Sequence, residues 1–572
     1  MKRVRIIVAA LCVIATILLI SYSTSKYSEY EVTEVDRCRE ILSQMTLEQK
    51  VGQMFMAGFS SNSLDEATEE LFRECMFGNV ILFTNNIVNA EQAVEINNDL
   101  RSHIEIVSEV EPFVAVDQEG GPVMRVFDGA TDFPSNMAVA ATGNPENAYS
   151  EGLMLGRELA SMGFNMDLAP CVDVNSNPNN PVIGVRSYSD DPKLVGEFAS
   201  EFIRGMQESR VLACAKHFPG HGDTSVDSHY GLPVIDKDIE EIREADLYPF
   251  KVVVENGAEA VMSTHIVFEA IDEKLPATLS PAVLTGVLRG ELGFDGLIVT
   301  DGMQMGAIVK NFGIAEGCVM AVKAGADLLV TGSGNMSQSD IRAQRDAYLA
   351  VVNAVRNGEI GEDRIDESVM RILQTKESYG LLDANTTDIK LTDYVQSHGE
   401  FSRKLNREAV TVVKDETGLI PIGDDRQRVL AISHPMSRMI WDEMPQERRY
   451  NSFSYAFSME RESVDALTVD YSPSIQDVQR ARDMADDYDV VVIAFGDVAG
   501  NSSQRRLIEE VFKANANVVL VCLGSPYDSM KLDQIPSIVC TYQYTRSTRD
   551  ALNGVLSGRY EAVGRLPVKL PF

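Results

Sequence analysis

The chain has few of the residues on which several large functional classes depend. Its 572 residues include seven histidines, eight cysteines and one tryptophan, and 85 Asp and Glu outnumber 51 Lys and Arg to give a net charge of −34. A nucleic-acid binder needs clustered cations to neutralise phosphates, and no such cluster is present. Eight cysteines in a chain of this length form no dense disulfide framework. The composition therefore excludes a general nucleic-acid binder and a disulfide-built scaffold.

The N-terminus has the form of an export signal. The basic stretch MKRVR precedes an uninterrupted apolar run from Ile6 to Ile20, and polar residues follow it. The run is short for a spanning helix, which needs roughly 20 residues, and no clean A-x-A cleavage site follows. We predict that residues 1–25 are a signal peptide or an uncleaved signal anchor. The protein is then exported, either extracellular or anchored through residues 6–20 on the outer face of the cytoplasmic membrane.

Short apolar runs alternate with amphipathic segments over the first part of the chain. The runs lie at 51–59, 79–85, 112–120, 165–174, 211–220, 259–268, 294–303 and 326–334. Between them, apolar residues recur at i, i+3 and i+4, which predicts helices. Eight such units in about 300 residues predict a (β/α)8 TIM-like barrel over 36–385, with a doubly wound open sheet as the alternative. Polar residues at the C-terminal ends of the runs favour the barrel, because barrel active sites lie on that face.

A change of composition marks the end of the predicted barrel. Residues 386–408 are polar, as linkers commonly are. A second alternation of strands and helices follows, with the apolar runs VTVVKD, RVLAIS, DVVVIAFG, NVVLVCLG and SIVCTYQY. No GxGxxG or Walker sequence occurs in it, so no nucleotide role is implied. We predict a linker over 386–408 and a smaller C-terminal α/β open-sheet domain, of the sandwich type, over 409–572.

Three of the seven histidines lie in one loop, KHFPGHGDTSVDSH, which spans residues 216–229 and is called the histidine loop below. Clustered as they are, His217, His221 and His229 suggest zinc ligands and hence a zinc hydrolase. The loop has neither the HExxH nor the CxxC spacing, and its glycines disfavour a helix that would bring two histidines to one face. We therefore predict no metal and no other cofactor, and keep the zinc hydrolase as an alternative.

The residues of the histidine loop also suit separate purposes. Lys216 and His217 lie where the fifth strand leaves the barrel, a position suited to hydrogen bonding with a polar ligand. Asp227 and His229 are two residues apart, so in an extended segment their side chains point the same way. The carboxylate can then fix the tautomer of the imidazole and leave its other nitrogen free for proton transfer. On this interpretation His221 shapes the loop.

Further polar side chains follow other strands of the predicted barrel. Asp301 directly follows the apolar stretch LIVT of the seventh run, where it suits either the barrel mouth or the N-terminal cap of the next helix. Asp117 directly follows the apolar stretch FVAV of the third run and precedes Arg125, and Arg186 lies in the loop after the fourth run. Each residue alone is a weak signal. All of them converge on one face of the predicted barrel.

Together these stretches resemble the motifs of glycoside hydrolase family 3, in particular its bacterial β-N-acetylglucosaminidase (β-hexosaminidase) branch. The motifs are VDQEGGPVMR, DVNSNPNNPVIGVRSY, KHFPGHGDTSVDSH, MSTHI, PATLS and GFDGLIVTDGMQM, with LNREAVTVVKD and GRLPVKLPF in the second domain. The resemblance implies that Asp301 is the nucleophile and that His229, paired with Asp227, is the general acid and base. The residues implied to hold the sugar are Asp117, Arg125, Arg186, Lys216 and His217. One residue departs from the family pattern: the resemblance implies a larger polar or basic residue where this chain has Pro122.

The function implied by this resemblance is that of a retaining exo-β-N-acetylglucosaminidase. Its partner would be a carbohydrate with terminal β-linked N-acetylglucosamine, such as a peptidoglycan-derived cell-wall fragment or muropeptide. Retaining glycosidases commonly use two carboxylates, and here a His–Asp pair would replace the second one. A neutral histidine would repel an anionic acceptor such as phosphate less than a carboxylate does. A phosphorylase of the same family is therefore an alternative, as is a β-glucosidase.

Overall fold

The computed structural model describes residues 37–334, 336–383, 390–392, 394–423, 427–435 and 452–571. The predicted signal at residues 1–25 lies outside these ranges and stays a prediction. Within these ranges, no helix is both long and apolar enough to cross a membrane.

The first domain is a barrel of eight parallel strands. They are β1 (Phe55–Ala57), β2 (Asn79–Leu82), β3 (Phe113–Val116), β4 (Met166–Asp167), β5 (Leu212–Phe218), β6 (Ala260–Ser263), β7 (Leu297–Thr300) and β8 (Leu329–Val330). Each strand pairs with the next, β8 pairs with β1, and a bridge between Val299 and Leu328 joins the remaining two edges. The predicted barrel is confirmed, every predicted run contains its strand, and the alternative of a doubly wound open sheet is wrong.

Helices cover the outside of this barrel. Residues 37–44 are α-helical. The α-helices of four or more residues that follow are Leu47–Gln53, Glu66–Cys75, Ala90–Ser108, Asn136–Ala141, Glu146–Met162, Pro192–Glu208, Leu247–Glu255, Gly306–Val309, Ile314–Ala324, Gln338–Arg356 and Glu362–Ser378. The segments Ile242–Asp246 and Ala282–Glu291 are π-helical. Helix Pro192–Glu208 shows how the sequence forms these helices. Asp191 caps its N-terminus, a proline occupies its first turn, and one face of the helix is buried. That face packs on the barrel core.

The second domain is built on a six-stranded sheet. Its parallel strands are Val429–Ser433, Val464–Thr468, Val490–Phe495, Val518–Cys522 and Ser537–Cys540, and Thr411–Asp415 pairs antiparallel at one edge. Its helices are Phe453–Ser458, Ile475–Ala485, Ser502–Ala514 and Arg546–Leu556, with a 3₁₀ segment at Pro526–Lys531. The predicted open α/β sheet is confirmed. Strand Val464–Thr468 escaped prediction because it is an edge strand in which only two of five residues are buried.

The segment predicted as a linker, 386–408, contains a helix rather than connecting chain alone. Helix Val395–Ala409 buries mainly polar side chains. Nδ1 of His398 donates to Oε1 of Glu158 in the barrel at 2.8 Å. Oδ1 of Asn406 accepts from the hydroxyl of Thr548 in the second domain at 2.8 Å. These hydrogen bonds join the helix to both domains, and its Leu405 and Ala409 also lie in the apolar cores of the barrel and of the second domain.

The two domains pack against each other beside the C-terminal ends of the barrel strands. Met137, Ala138, Ala141 and Val185, all from segments that follow barrel strands, lie in the apolar core of the second domain. The backbone nitrogen of Lys569 donates to a carboxylate oxygen of Asp190 at 2.8 Å. The second domain therefore borders the face of the barrel on which an active site is expected.

Candidate active site

A cavity of about 550 Å³ opens at the C-terminal ends of the barrel strands. Its apolar wall includes Ile81, Phe83 and Pro122. The predicted site residues that line it are Asp117, Arg125, Arg186, Lys216, His217, His229 and Asp301. The structure thus brings together side chains from the C-terminal ends of four strands, β3, β4, β5 and β7, or from the segments that follow them, and Asp227 joins them through its contact with His229.

One side of the cavity is a network of charged side chains. Nζ of Lys216 lies 2.7 Å from Asp117 and 2.8 Å from Glu119. The guanidinium of Arg186 binds both oxygens of Glu119, at 2.9 and 2.7 Å. Arg125 lies 3.3 Å from the other oxygen of Asp117. Two carboxylates therefore share three cations. Glu119, which was not among the predicted site residues, is at the centre of the network.

The cations keep both carboxylates of this network ionised. Burial raises the pKa of Glu119, but Arg186 and Lys216 outweigh it and hold that pKa below its ordinary value. Burial likewise opposes the ionisation of Asp117, whose pKa is nevertheless lowered by Lys216 and Arg125. The network therefore offers fixed charged donors and acceptors to the hydroxyl groups of a ligand.

Removing one cation from this network should destabilise the protein. In Arg186→Met, Glu119 keeps only Lys216, and breaking a buried ion pair typically costs about 3–5 kcal/mol. We expect the free energy of unfolding in urea to fall by about 3 kcal/mol. The matched control is Arg204→Met, because Arg204 pairs with Glu201 on the surface with half of its side chain exposed. The control should lose at most about 1 kcal/mol, and equal losses in both variants would show that the network does not stabilise the fold.

Asp173, which was not among the predicted site residues, orients His217. It is fully buried, and its Oδ2 accepts from Nδ1 of His217 at 2.7 Å. Its Oδ1 accepts from the backbone nitrogens of His217 and His221, at 3.3 and 2.6 Å. Since Nδ1 is taken, His217 presents Nε2 on the side of Arg186, whose Nη2 lies 3.5 Å away. His217 is therefore fixed as a ligand-binding side chain. Asp173 follows β4 and begins the motif DVNSNPNNPVIGVRSY, and this position was the signal in the sequence that could have identified it.

His221 holds the histidine loop in shape. Its ring is buried and bonds the hydroxyl of Thr224 at Nδ1 (2.9 Å) and that of Ser228 at Nε2 (3.0 Å). Burial lowers its pKa to about 4, so the ring is neutral. A Cβ at Gly222 would lie 1.7 Å from the carbonyl oxygen of Val174. Glycine is therefore required where the loop passes over that backbone.

Asp227 and His229 form the pair that their spacing predicted. Oδ1 of Asp227 accepts from Nδ1 of His229 at 2.7 Å and from its backbone nitrogen at 2.8 Å. The imidazole is half exposed, 50% by side chain, and its Nε2 is left for a ligand. The backbone nitrogen of Gly306 donates to the carbonyl of His229 at 3.1 Å, which docks this end of the loop. The arrangement suits proton transfer at the mouth of the cavity.

Asp301 lies at the end of β7 with its carboxylate at the cavity. Its Oδ1 accepts from the backbone nitrogen of Gly302 at 2.7 Å. It does not cap the next helix, Gly306–Val309, because the residue at that cap is Met305. Burial raises the pKa of Asp301, but the surrounding histidines, His265 first among them, hold it below its ordinary value. An ionised carboxylate therefore faces the ligand.

His265, which lies in the motif MSTHI and was not among the predicted site residues, supports Asp301. Its Nε2 donates to the carbonyl of Gly302 at 3.0 Å, and its Nδ1 lies within hydrogen-bond distance, 2.9 Å, of the hydroxyl of Thr278. Burial lowers its pKa. His265 therefore fixes the peptide unit whose N–H binds Asp301.

The three histidines of the loop do not form the zinc site considered as an alternative. Each bonds a different partner, and within the described ranges their ring nitrogens do not gather into one group of ligands. Cys171, Asp173 and His217 do bring their ligand atoms within 4.8 Å of one another. Burial raises the pKa of the Cys171 thiol well above its ordinary value, and that thiol donates to Asp173 at 3.0 Å. These donors and acceptors satisfy one another, which does not suit a metal ion.

The chain resembles known proteins over both domains. The model of the glycosyl hydrolase family 3 N terminal domain matches residues 46–375, and that of the family 3 C-terminal domain matches 251–572. Beta-hexosaminidase A of Pseudoalteromonas piscicida is 32% identical over 418 residues, 67% of this chain and 70% of that protein. A glycoside hydrolase family 3 beta-N-acetylglucosaminidase structure from Paenibacillus sp. is 33% identical with a TM-score of 0.84, covering 92% of this chain and 99% of that one. A beta-N-acetylglucosaminidase/beta-glucosidase of Cellulomonas fimi is 28% identical over 403 residues, 68% of each chain.

Proposed function

The chain belongs to glycoside hydrolase family 3, and we propose that it is a retaining exo-β-N-acetylglucosaminidase acting on terminal β-linked N-acetylglucosamine of peptidoglycan-derived cell-wall fragments. One observation carries the proposal: the ionised Asp301 and the half-exposed His229, with its partner Asp227, line the same cavity. A carboxylate nucleophile and a separate proton donor are the two groups that a retaining glycosidase needs. The names of the relatives support N-acetylglucosamine as the sugar.

The first step of the proposed reaction forms a glycosyl-enzyme. An oxygen of the Asp301 carboxylate attacks the anomeric carbon, and the bond from that carbon to the leaving oxygen breaks. Nε2 of the His229 imidazolium gives its proton to that oxygen, so the leaving group departs as an alcohol. Asp227 stabilises the imidazolium beforehand and holds the ring in place through Nδ1. The products of this step are a neutral imidazole and an ester on Asp301.

The second step returns the enzyme to its starting state. The neutral Nε2 of His229 takes a proton from water, whose oxygen attacks the anomeric carbon and displaces Asp301 as a carboxylate. Two displacements at the same carbon leave the released sugar in the β configuration. The network of Asp117, Glu119 and their cations would hold the sugar hydroxyls through both steps. Pro122 stands in the same wall and offers no donor.

Phosphorolysis is a second candidate, favoured by the nature of the base. The base of the second step would be a neutral imidazole. Because Asp301 is then an ester, the cavity wall carries three cations against two carboxylates. An anionic acceptor therefore meets little repulsion there. In that reaction phosphate takes the place of water, and the product is the sugar 1-phosphate.

The proposal is tested with paired chromogenic substrates, an N-acetylglucosaminide and a glucoside. We expect faster release from the N-acetylglucosaminide and, by proton NMR, the β anomer as the first product. An α anomer appearing first would contradict the retaining mechanism. Adding phosphate separates the two candidates, because accumulation of sugar 1-phosphate would identify a phosphorylase.

Dialysis against EDTA should leave the rate of hydrolysis unchanged, because we predict no metal requirement. A loss of activity that added zinc restores would contradict this prediction.

We also propose that the protein is exported. The support is the basic stretch before the apolar run from Ile6 to Ile20. Fusing residues 1–25 to an alkaline phosphatase that is active only outside the cytoplasm should give an active fusion, and an inactive fusion would contradict export.

A further inference from the structure

The histidine loop is tied to the barrel by a lysine that follows it in the chain. Nζ of Lys237 lies 3.3 Å from Oδ2 of Asp223, in the middle of the loop. The same ammonium donates to both carboxylate oxygens of Asp246, at 3.2 and 2.9 Å. The side chain of Lys237 is 16% exposed and that of Asp246 is 3% exposed. One largely buried cation thus joins the loop to a buried carboxylate, and we call these three residues the Lys237 bridge.

The barrel side of the Lys237 bridge is held by the backbone around it. Asp246 ends the π-helical segment Ile242–Asp246, and π-helical turns are frequent at functional sites. A Cβ at Gly220 would lie 3.0 Å from Cβ of Asp246, so the loop passes directly over this side chain. Lys237 follows a short paired strand, Val234–Ile235. The bridge therefore has one end fixed on the barrel and the other end in the histidine loop.

A continuous set of contacts leads from Asp223 to the proposed proton donor. The hydroxyl of Thr224, the next residue, lies 2.9 Å from Nδ1 of His221. Nε2 of His221 lies 3.0 Å from the hydroxyl of Ser228, and Ser228 directly precedes His229. Thr224, His221 and Ser228 are buried, whereas the ring of His229 is half exposed. The position of His229 therefore depends on how the rest of the loop is held.

The Lys237 bridge places two carboxylates around one ammonium. Burial raises the pKa of Asp246 to about 6, while Lys237 opposes this rise and Asp223 and Asp173 add to it. Asp246 is therefore mostly ionised at about pH 8 and mostly protonated at about pH 5. Where Asp246 is ionised, loss of the ammonium would leave it facing Asp223 with no cation between them. Two like charges disfavour such an approach, so the loop would lose its hold on the barrel.

We propose that Lys237 is a positioning residue for the general acid and base. By joining Asp223 to Asp246, it holds the histidine loop so that Nε2 of His229 faces the reacting oxygen. This inference rests on the proposed function and adds to it a residue that does not line the cavity. Because Lys237 acts through the loop alone, its loss should impair proton transfer and leave the nucleophile Asp301 intact.

The test compares kcat/KM for two substrates that depend differently on the proton donor. The leaving group of the disaccharide of two N-acetylglucosamines has to be protonated, whereas the fluoride of β-N-acetylglucosaminyl fluoride departs with little protonation. Lys237→Met should lower kcat/KM for the disaccharide about 10-fold and that for the fluoride at most about 2-fold. Lys237→Arg keeps a cation between the two carboxylates and should keep the wild-type ratio of the two substrates.

A pH profile separates this role from a general loss of packing. On the disaccharide, the wild-type kcat/KM divided by that of Lys237→Met should grow from about pH 5 to about pH 8, because Asp246 ionises over this range and lacks its cation in the variant. Asp223→Ala removes only the loop end of the bridge and leaves Lys237 paired with Asp246. It should give a loss on the disaccharide alone at every pH, and it provides the same comparison if Lys237→Met does not fold.

Amide hydrogen exchange tests the Lys237 bridge without turnover. Exchange of residues 220–230 should be about 10-fold faster in Lys237→Met than in the wild type. The matched control is Lys251→Met, which removes an exposed lysine of a barrel helix and should change neither exchange of the loop nor the two rates.

Four results would overturn the inference: equal losses on both substrates, no loss on either, an arginine variant that behaves like the methionine variant, or unchanged exchange of the loop. A loss in Lys237→Met that does not vary with pH would overturn it too. A wild type that hydrolyses neither substrate would instead contradict the proposed function, and the exchange measurement would still decide whether Lys237 holds the loop.

Discussion

Asp301→Ala should abolish turnover of every substrate, whatever its leaving group. Neither alanine nor asparagine at this position has an anionic oxygen to attack the anomeric carbon, so the covalent step cannot take place. Losing a member of a catalytic unit typically lowers kcat on the order of 10⁴-fold or more. The loss should be equally large for activated aryl glycosides and for disaccharides, and initial rates on both classes measure it.

The fold should survive this substitution, because Asp301 lies at the barrel mouth and caps no helix. Circular dichroism and the thermal midpoint of unfolding check this directly. Asp295→Ala is the matched control: this exposed aspartate precedes the same strand at its opposite end. It should keep near wild-type activity. Substantial turnover by a well-folded Asp301→Ala variant would show that another group forms the first bond.

His229→Ala should give a loss that depends on the leaving group. Without its imidazole the enzyme has no proton donor for the leaving oxygen, and general acid–base catalysis typically contributes about 10² to 10⁴-fold. Disaccharides, whose leaving groups are poor, should therefore lose rate across that range. The first step with activated aryl glycosides needs little protonation and should slow much less.

Two further measurements separate the acid role from the base role of His229. Azide attacks a glycosyl-enzyme without help from a base, so it should restore turnover of activated substrates by His229→Ala and yield the glycosyl azide. Asp227→Ala should give a milder form of the same pattern, because the imidazole remains but loses its partner at Nδ1. A loss of the same size on all substrates, without azide rescue, would mean that His229 only shapes the loop.

The barrel was predictable because its strands are buried on both faces. β2, β3, β6 and β7 are fully buried, so each appears in the sequence as a continuous apolar run. The elements that escaped prediction lack this signature. Strand Val464–Thr468 exposes three of its five residues, and helix Val395–Ala409 buries histidine, serine and asparagine. Strand pairing and side-chain hydrogen bonds also hold these two elements in place, and local hydrophobicity does not reveal such contacts.

The same distinction separates the site residues that were predicted from those that were not. Asp117 and Asp301 directly follow apolar strands, and Lys216 lies near the C-terminal end of β5. Because the carboxyl ends of parallel strands lie at one face of a barrel, the sequence predicts that these residues meet. Asp173 and Glu119 act through partners 44 and 67 positions away in the chain. The residues adjacent to Asp173 and Glu119 in the sequence do not indicate which partners they bind. The closure of the barrel creates those contacts, and only the three-dimensional arrangement reveals them.

The central claim is that Asp301 forms a covalent bond to the sugar, and a slow fluorosugar substrate tests it most directly. The leaving group of such a substrate departs quickly, but the glycosyl-enzyme that forms is hydrolysed slowly, so this intermediate accumulates. After proteolysis, mass spectrometry should find the label on the peptide that contains LIVTDGMQM, with fragmentation placing it on Asp301. A label on Glu119 or Asp295, or turnover with no labelled protein at all, would contradict the account.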